Sequence, residues 1–164
     1  PTPIYSDGLV YVSSGYGTGC NLFKVSGTGS FSVEQAYANK IMVNHHGGVV
    51  KVGENLYGYS DSKGWTCQNF QSGEAVWVDK DKLKKGSIAF ADGLLYCREE
   101  ADKSKTAKGT VALLEATSAG FQEKGRFDPP DRSDKNSWPH PVIADGKLYL
   151  RDQEVLLCYN VTAK

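Results

Sequence analysis

Several things are scarce in this sequence, and each scarcity excludes something. There is no excess of charge of either sign, since Lys+Arg and Asp+Glu both number 19, so no whole-chain field draws in nucleic acid or an acidic membrane. No apolar run approaches the roughly 18 residues of a membrane span, and no charged-then-apolar signal segment opens the chain. The chain starts at Pro1 without a Met, so a processed product or an excised piece is expected as readily as a complete cytosolic protein. No window of ten or more residues holds a 3.6-residue apolar period, and residues 79–85 are charged and short, so helix is expected to be nearly absent. The four cysteines include no adjacent pair, and the three histidines form neither an HxH nor an HxxxH spacing that would mark a zinc site. There is no G-x-S-x-G elbow and no phosphate-binding glycine loop: GYGTG (residues 15–19) joins two strands and does not open a helix.

What is present is glycine, 18 residues of it, and 9 tyrosines, spread between short Val/Leu/Tyr-rich runs. That composition predicts an all-β chain, and 40% hydrophobic residues over 164 positions suffice for a core. A repeat organises the runs. SDGLVY (6–11), VGENLY (52–57), ADGLLY (91–96) and ADGKLY (144–149) align, with Tyr at 11, 57, 96 and 149. Each copy is preceded by an apolar run, turns on Asp-Gly or Gly-Glu as a two-residue hairpin, and leads into a further strand at 22–25, 66–70, 111–116 or 155–159. Fourth strands are expected at 32–37, 75–78 and 120–127, and only the last copy lacks one. Four short antiparallel strands in a unit of about 40 to 50 residues is the arithmetic of a β-propeller blade. Blades are expected at about 1–40, 41–83, 84–135 and 136–164, the last incomplete; a sandwich is the weaker reading.

CQNFQSGEAVW (67–77) resembles the tryptophan-docking motif of the pyrroloquinoline-quinone-type (PQQ-like) propeller repeats, with Cys67, Asn69, Ser72-Gly73 and Trp77 at the motif positions. In that motif the glycine permits the turn between third and fourth strands and the indole packs between neighbouring blades. Degenerate copies are expected at Phe23/Thr28-Gly29/Val33 and Leu114/Gly120/Lys124, with the Trp lost from both. The ending from Ser137 onward also resembles the C-terminus of exported bacterial PQQ-like repeat proteins, whose complete propellers are longer. In such rings a strand from the N-terminal end commonly completes the closing blade. The resemblance therefore implies a periplasmic or cell-surface location and half of a ring of about eight blades; the alternative is a self-contained four-bladed ring in which residues 3–5 pack against the last blade. The partner implied is a second half, either its own copy or an N-terminal fragment. The family includes quinoprotein alcohol dehydrogenases and non-catalytic scaffolds of outer-membrane assembly, so fold does not assign function.

In a propeller the loops entering each innermost strand and those between second and third strands gather on one face. Here that face collects 43–48 (VNHHGG), 79–86, 127–141, 14–19, 60–65, 98–109 and 151–154. His45, His46, Asp61, Trp65, Trp138, His140, Arg151 and Asp152 are the candidate partner-binding residues; Asn69, Gly73 and Trp77 are the candidate docking residues. Consecutive histidines cannot easily place both rings on one ion, and DPPDRSD (128–134) lacks the order of a calcium loop, so no metal site is expected. Quinone chemistry would need an Asp base, a calcium held by Glu and Asn, an Arg and an adjacent-cysteine disulfide, and no residue set here matches these. The expected function is a non-catalytic module recognising a partner protein, peptide or glycan, with no cofactor. The alternative is one half of a PQQ- and calcium-dependent dehydrogenase whose catalytic residues lie on another segment. Cys20, Cys67, Cys97 and Cys158 are expected as buried small apolar residues, although an exported chain could pair Cys20 or Cys97 locally.

Overall fold

Asp-Gly dipeptides set the fold's rhythm, because both residues of a tight type I′ hairpin need positive φ. Asp7-Gly8, Asp92-Gly93 and Asp145-Gly146 all adopt it, with Asp φ of 53°, 50° and 49°. At the second copy Gly53 takes φ 56° in the first turn position. These turns join the first and second strands of four antiparallel sheets in a computed structural model that describes residues 1–100 and 107–162.

The first sheet is β1 (Ile4–Ser6), β2 (Leu9–Ser14), β3 (Gly19–Ser26) and β4 (Ser32–Asn39). The second is β5 (Val49–Val52), β6 (Asn55–Ser60), β7 (Gly64–Asn69) and β8 (Ala75–Asp79). The third is β9 (Gly86–Ala91), β10 (Leu94–Glu99), β11 (Val111–Glu115) and β12 (Glu123–Phe127). The fourth has β13 (Val142–Ala144), β14 (Lys147–Asp152) and β15 (Val155–Asn160) and no further strand among the described residues. Strands neighbour each other in chain order within every sheet, and no described residue is helical. This is the expected all-β blade pattern. The third fourth-strand is shorter than the sequence suggested, starting at Glu123 and not at residue 120, because Gly120 turns with φ 111° and Phe121 dives into the core.

Alternation along each strand puts one set of side chains toward the next sheet. Tyr11, Cys20, Leu22, Met42, Leu56 and Phe70 fill the space between the first and second sheets. Tyr57, Trp65, Cys67, Ile88, Leu95, Leu114 and Phe121 are among those between the second and third. Tyr96, Val111, Leu148 and Leu150 lie between the third and fourth. No core cluster among the described residues joins the fourth sheet to the first, so the four sheets form an open arc. Its ends leave apolar side chains uncovered, Tyr5 at 72% and Val33 at 64% on the first sheet, Val142 at 55% and Leu156 at 65% on the fourth.

The segment from Cys67 to Trp77 has a definite geometry. Gly73, with φ 73°, ends the tight turn after β7 that Asn69 Oδ1 holds by accepting from the Gln71 and Ser72 amides. A Cβ on Gly73 would stand 2.7 Å from Asn39 Nδ2 and 2.9 Å from the Tyr37 ring, so only glycine lets the first sheet approach this closely. The Trp77 indole lies between the second and third sheets, beside Tyr57 and edge-on to Phe121, and its Nε1–H donates to Thr117 O at 2.8 Å. The degenerate copies do not fall at Val33 and Lys124. Each third–fourth strand pair carries a bulge, and in register the residue facing Leu22 is Tyr37, that facing Cys67 is Trp77, and that facing Leu113 is Gly125. Counting along the chain missed this because the paired residues are 15 apart at Leu22–Tyr37 and 12 apart at Leu113–Gly125, against 10 at Cys67–Trp77.

All four cysteines are free, and Cys20, Cys67 and Cys97 are buried. Cys158 is exposed, contrary to expectation. It is the register counterpart of Cys67, both facing a repeat Tyr, but it sits on the open face of the last sheet where no following sheet covers it.

Candidate functional site: an aromatic strip on the loop face

Asn44 begins the site by fixing the loop that carries the paired histidines. Its side chain is buried, donates to the carbonyls of Gly48 and Tyr59 and accepts from the Gly48 amide, all at 3.0 Å. A buried amide with its donors and acceptor filled locks the loop, and His45 and His46 project from it half-exposed. Beneath them Gly47 packs so tightly that a Cβ there would lie 2.0 Å from Gly86 O.

Around this loop five others converge. Tyr16, from the β2–β3 turn, stands 87% exposed with its ring 4.4 Å from that of His45. The His45 and His46 rings are 4.6 Å apart, and Trp138, from the long β12–β13 connection, lies 5.4 Å beyond His46. Tyr16, His45, His46 and Trp138 thus form a continuous strip of rings spanning three sheets. Charged groups flank it: Glu100 Oε1 is 3.3 Å from His46 Nε2, and Lys85 pairs with Asp61 at 2.7 Å. His140 lies on the inner side, its Nε2–H donating to His46 O at 2.9 Å.

The surroundings disfavour a positive charge on His46. Burial lowers the His46 pKa below its ordinary value, and the nearby Lys85 and His45 lower it further. Burial likewise raises that of Glu100, with Lys85 opposing. Although close, the His46 and Glu100 side chains do not align for a hydrogen bond, and both His46 Nδ1 and Glu100 Oε1 are buried without one.

Trp138 is held outward by a buried scaffold. Arg98, 4% exposed, donates from Nη1 to Arg151 O (2.7 Å) and Pro139 O (3.4 Å) and from Nη2 to Ser137 Oγ (3.2 Å). Burial lowers the Arg98 pKa, with the Asp152 carboxylate opposing. Asp152, also buried, accepts from the Ser133 amide and hydroxyl at 2.9 and 2.7 Å.

The expected loop-face residues therefore separate. His45, His46, Asp61, Trp138 and His140 come together. Trp65 does not join them: it is 2% exposed, its Nε1–H donates to Lys84 O, and its ring packs edge-on to Tyr59 within the core. Following Gly64 at the start of β7, it faces the next sheet and not the loop rim. Asp152 anchors the long connection from below, and Arg151 is exposed with its Nε donating to Gln153 O. Of the loop at 98–109, residues 101–106 lie outside the described residues. Tyr16, Lys85, Glu100 and Arg98 were missed. Tyr16 carried a signal, since GYGTG is a tight turn whose exposed Tyr at φ 53° has no core to serve; the other three are ordinary charges in sequence, and only the convergence of loops makes them neighbours. Among the described residues, no three His, Cys, Asp or Glu side chains cluster as metal ligands would, and no helix is long and apolar enough to cross a membrane.

No protein-family model matches the sequence, and no curated protein matches it. Among solved structures the chain is similar to BamB from Moraxella catarrhalis, with a TM-score of 0.62 and 17% identity over 96% of this chain. The match spans 41% of that longer chain. At this identity the likeness speaks to architecture alone, and the four sheets are a portion of a β-propeller.

Proposed function

We propose that this chain is an arc of a PQQ-like β-propeller and acts as a non-catalytic binding scaffold. A partner protein, peptide or glycan is recognised on the loop face. The carrying observation is the strip of four rings, Tyr16, His45, His46 and Trp138, edged by Glu100 and the Lys85–Asp61 pair. Exposed aromatic rings beside fixed charges suit recognition, because a ring offers a large rigid contact at low entropic cost while charges set orientation. The open arc supports the assembly half of the reading: its uncovered end faces call for a second half, this chain's own copy or an N-terminal fragment, and an exported location accords with the resemblance in the repeat.

Selecting binders from a displayed random-peptide library and a glycan array with the wild-type chain, then counter-screening with Tyr16→Ala and Trp138→Ala, tests the face. Enriched binders should lose most of their signal on both variants. Binders indifferent to both substitutions would place recognition elsewhere. Assembly is tested independently by sedimentation, where a species near twice 17.9 kDa supports self-completion and a persistent monomer refutes it.

A further inference from the structure

The three interfaces between neighbouring sheets share one plan and differ in the residue that the fourth strand presents beside its bulge. In register, the fourth strand of the leading sheet presents Tyr37 at the first interface, Trp77 at the second and Gly125 at the third. The first two lay a ring toward the next sheet and donate one hydrogen bond to a backbone carbonyl just past its third strand. Tyr37 Oη donates to Phe70 O at 3.0 Å, and Trp77 Nε1 to Thr117 O at 2.8 Å. At the third interface the side chain is missing, and a Cβ built on Gly125 meets nothing within 4 Å. A cleft of about 350 Å³, partly open to solvent, takes its place, walled by Leu94, Tyr96, Leu113, Phe127, Leu148 and Val161. Val161 stands three residues past Cys158 just as Phe70 stands three past Cys67, so its carbonyl is the counterpart of the one Tyr37 uses.

We propose that this cleft is a binding site for a small planar aromatic molecule carrying one N–H or O–H donor, of the indole or phenol class. The ring takes the place of the missing side chain and the donor meets the Val161 carbonyl. The sibling interfaces supply the argument for that chemistry: the same two-walled apolar slot is filled once by a phenol and once by an indole, each with one donor on one carbonyl. Size agrees, since ligand clefts begin near about 300 Å³. A ring held without a covalent tether gains the apolar burial that Gly125 forgoes.

The test is titration calorimetry of the 164-residue chain with indole. Saturable one-site binding is expected, weakened about fivefold for indene, which lacks the N–H and so the net worth of one hydrogen bond. Binding should fall by at least about tenfold in Gly125→Trp, which fills the slot, and a shift of the Thr162 amide resonance on indole addition should report the Val161 peptide group. Gly125→Leu is the second variant should Gly125→Trp fail to fold, and it too should compete with the ligand. Absence of saturable indole binding, or binding undiminished in the folded Gly125 variants, overturns the proposal.

Discussion

Trp77→Ala removes the ring that joins the second and third sheets, and the size of the loss can be worked from its surroundings. Truncating a buried Trp costs about 3–5 kcal/mol; Trp77 is half-buried, which places the packing loss near the lower end, about 3 kcal/mol. The indole N–H to Thr117 O bond at 2.8 Å adds about 1 kcal/mol. Trp77→Phe should therefore cost less, because it keeps a ring beside Tyr57 and Phe121 and forfeits the donor. For a chain of this size each 1 kcal/mol moves Tm by about 2–4 °C, so Trp77→Ala should lower it by about 6–16 °C. Urea denaturation followed by circular dichroism reads the same loss as a fall in midpoint. In a stack of repeats, stability is a sum of units and nearest-neighbour interfaces, so weakening one interface should also broaden or split the transition. Val78→Ala, on the same strand but directed outward and 42% exposed, is the control and should stay within about 0.5 kcal/mol of wild type. A Trp77→Ala loss below about 1 kcal/mol, or an equal loss in Val78→Ala, would refute the interface as described.

Two further outcomes are expected. The His46 pKa is lowered in the fold, so its contribution to stability is fully present above the ordinary value near 6.5 and is lost as pH falls through the lowered folded value; chemical denaturation across pH 5–8 should show this decline, and His46→Gln should flatten it. Native protein should show one thiol reacting quickly with Ellman's reagent, Cys158, and unfolded protein all four, since Cys20, Cys67 and Cys97 are buried and burial pushes the Cys67 thiol up to about 11; more than one fast thiol in the folded state would contradict the packing.

The sequence alone determined the strands and their rhythm, because hairpin turns are local chemistry. Asp-Gly at 7–8, 92–93 and 145–146 needs only its own backbone preference to declare a turn, and the Tyr three residues later follows from the strand's period of two. The turn at Gly73 was legible for the same reason, as a short pattern within one hairpin. Tertiary structure decided everything that depends on two sheets meeting. Pairing across the third and fourth strands, which chain counting does not see, made Tyr37 and Gly125, and not Val33 and Lys124, the counterparts of Trp77. One step along a strand reverses the face of a side chain, which sent Trp65 inward although its neighbours at 61–63 lie on the loop rim. Tyr16, His46, Glu100 and Trp138 are separated by dozens of residues and share no local pattern. They are neighbours only because successive sheets turn the same loops toward the same face.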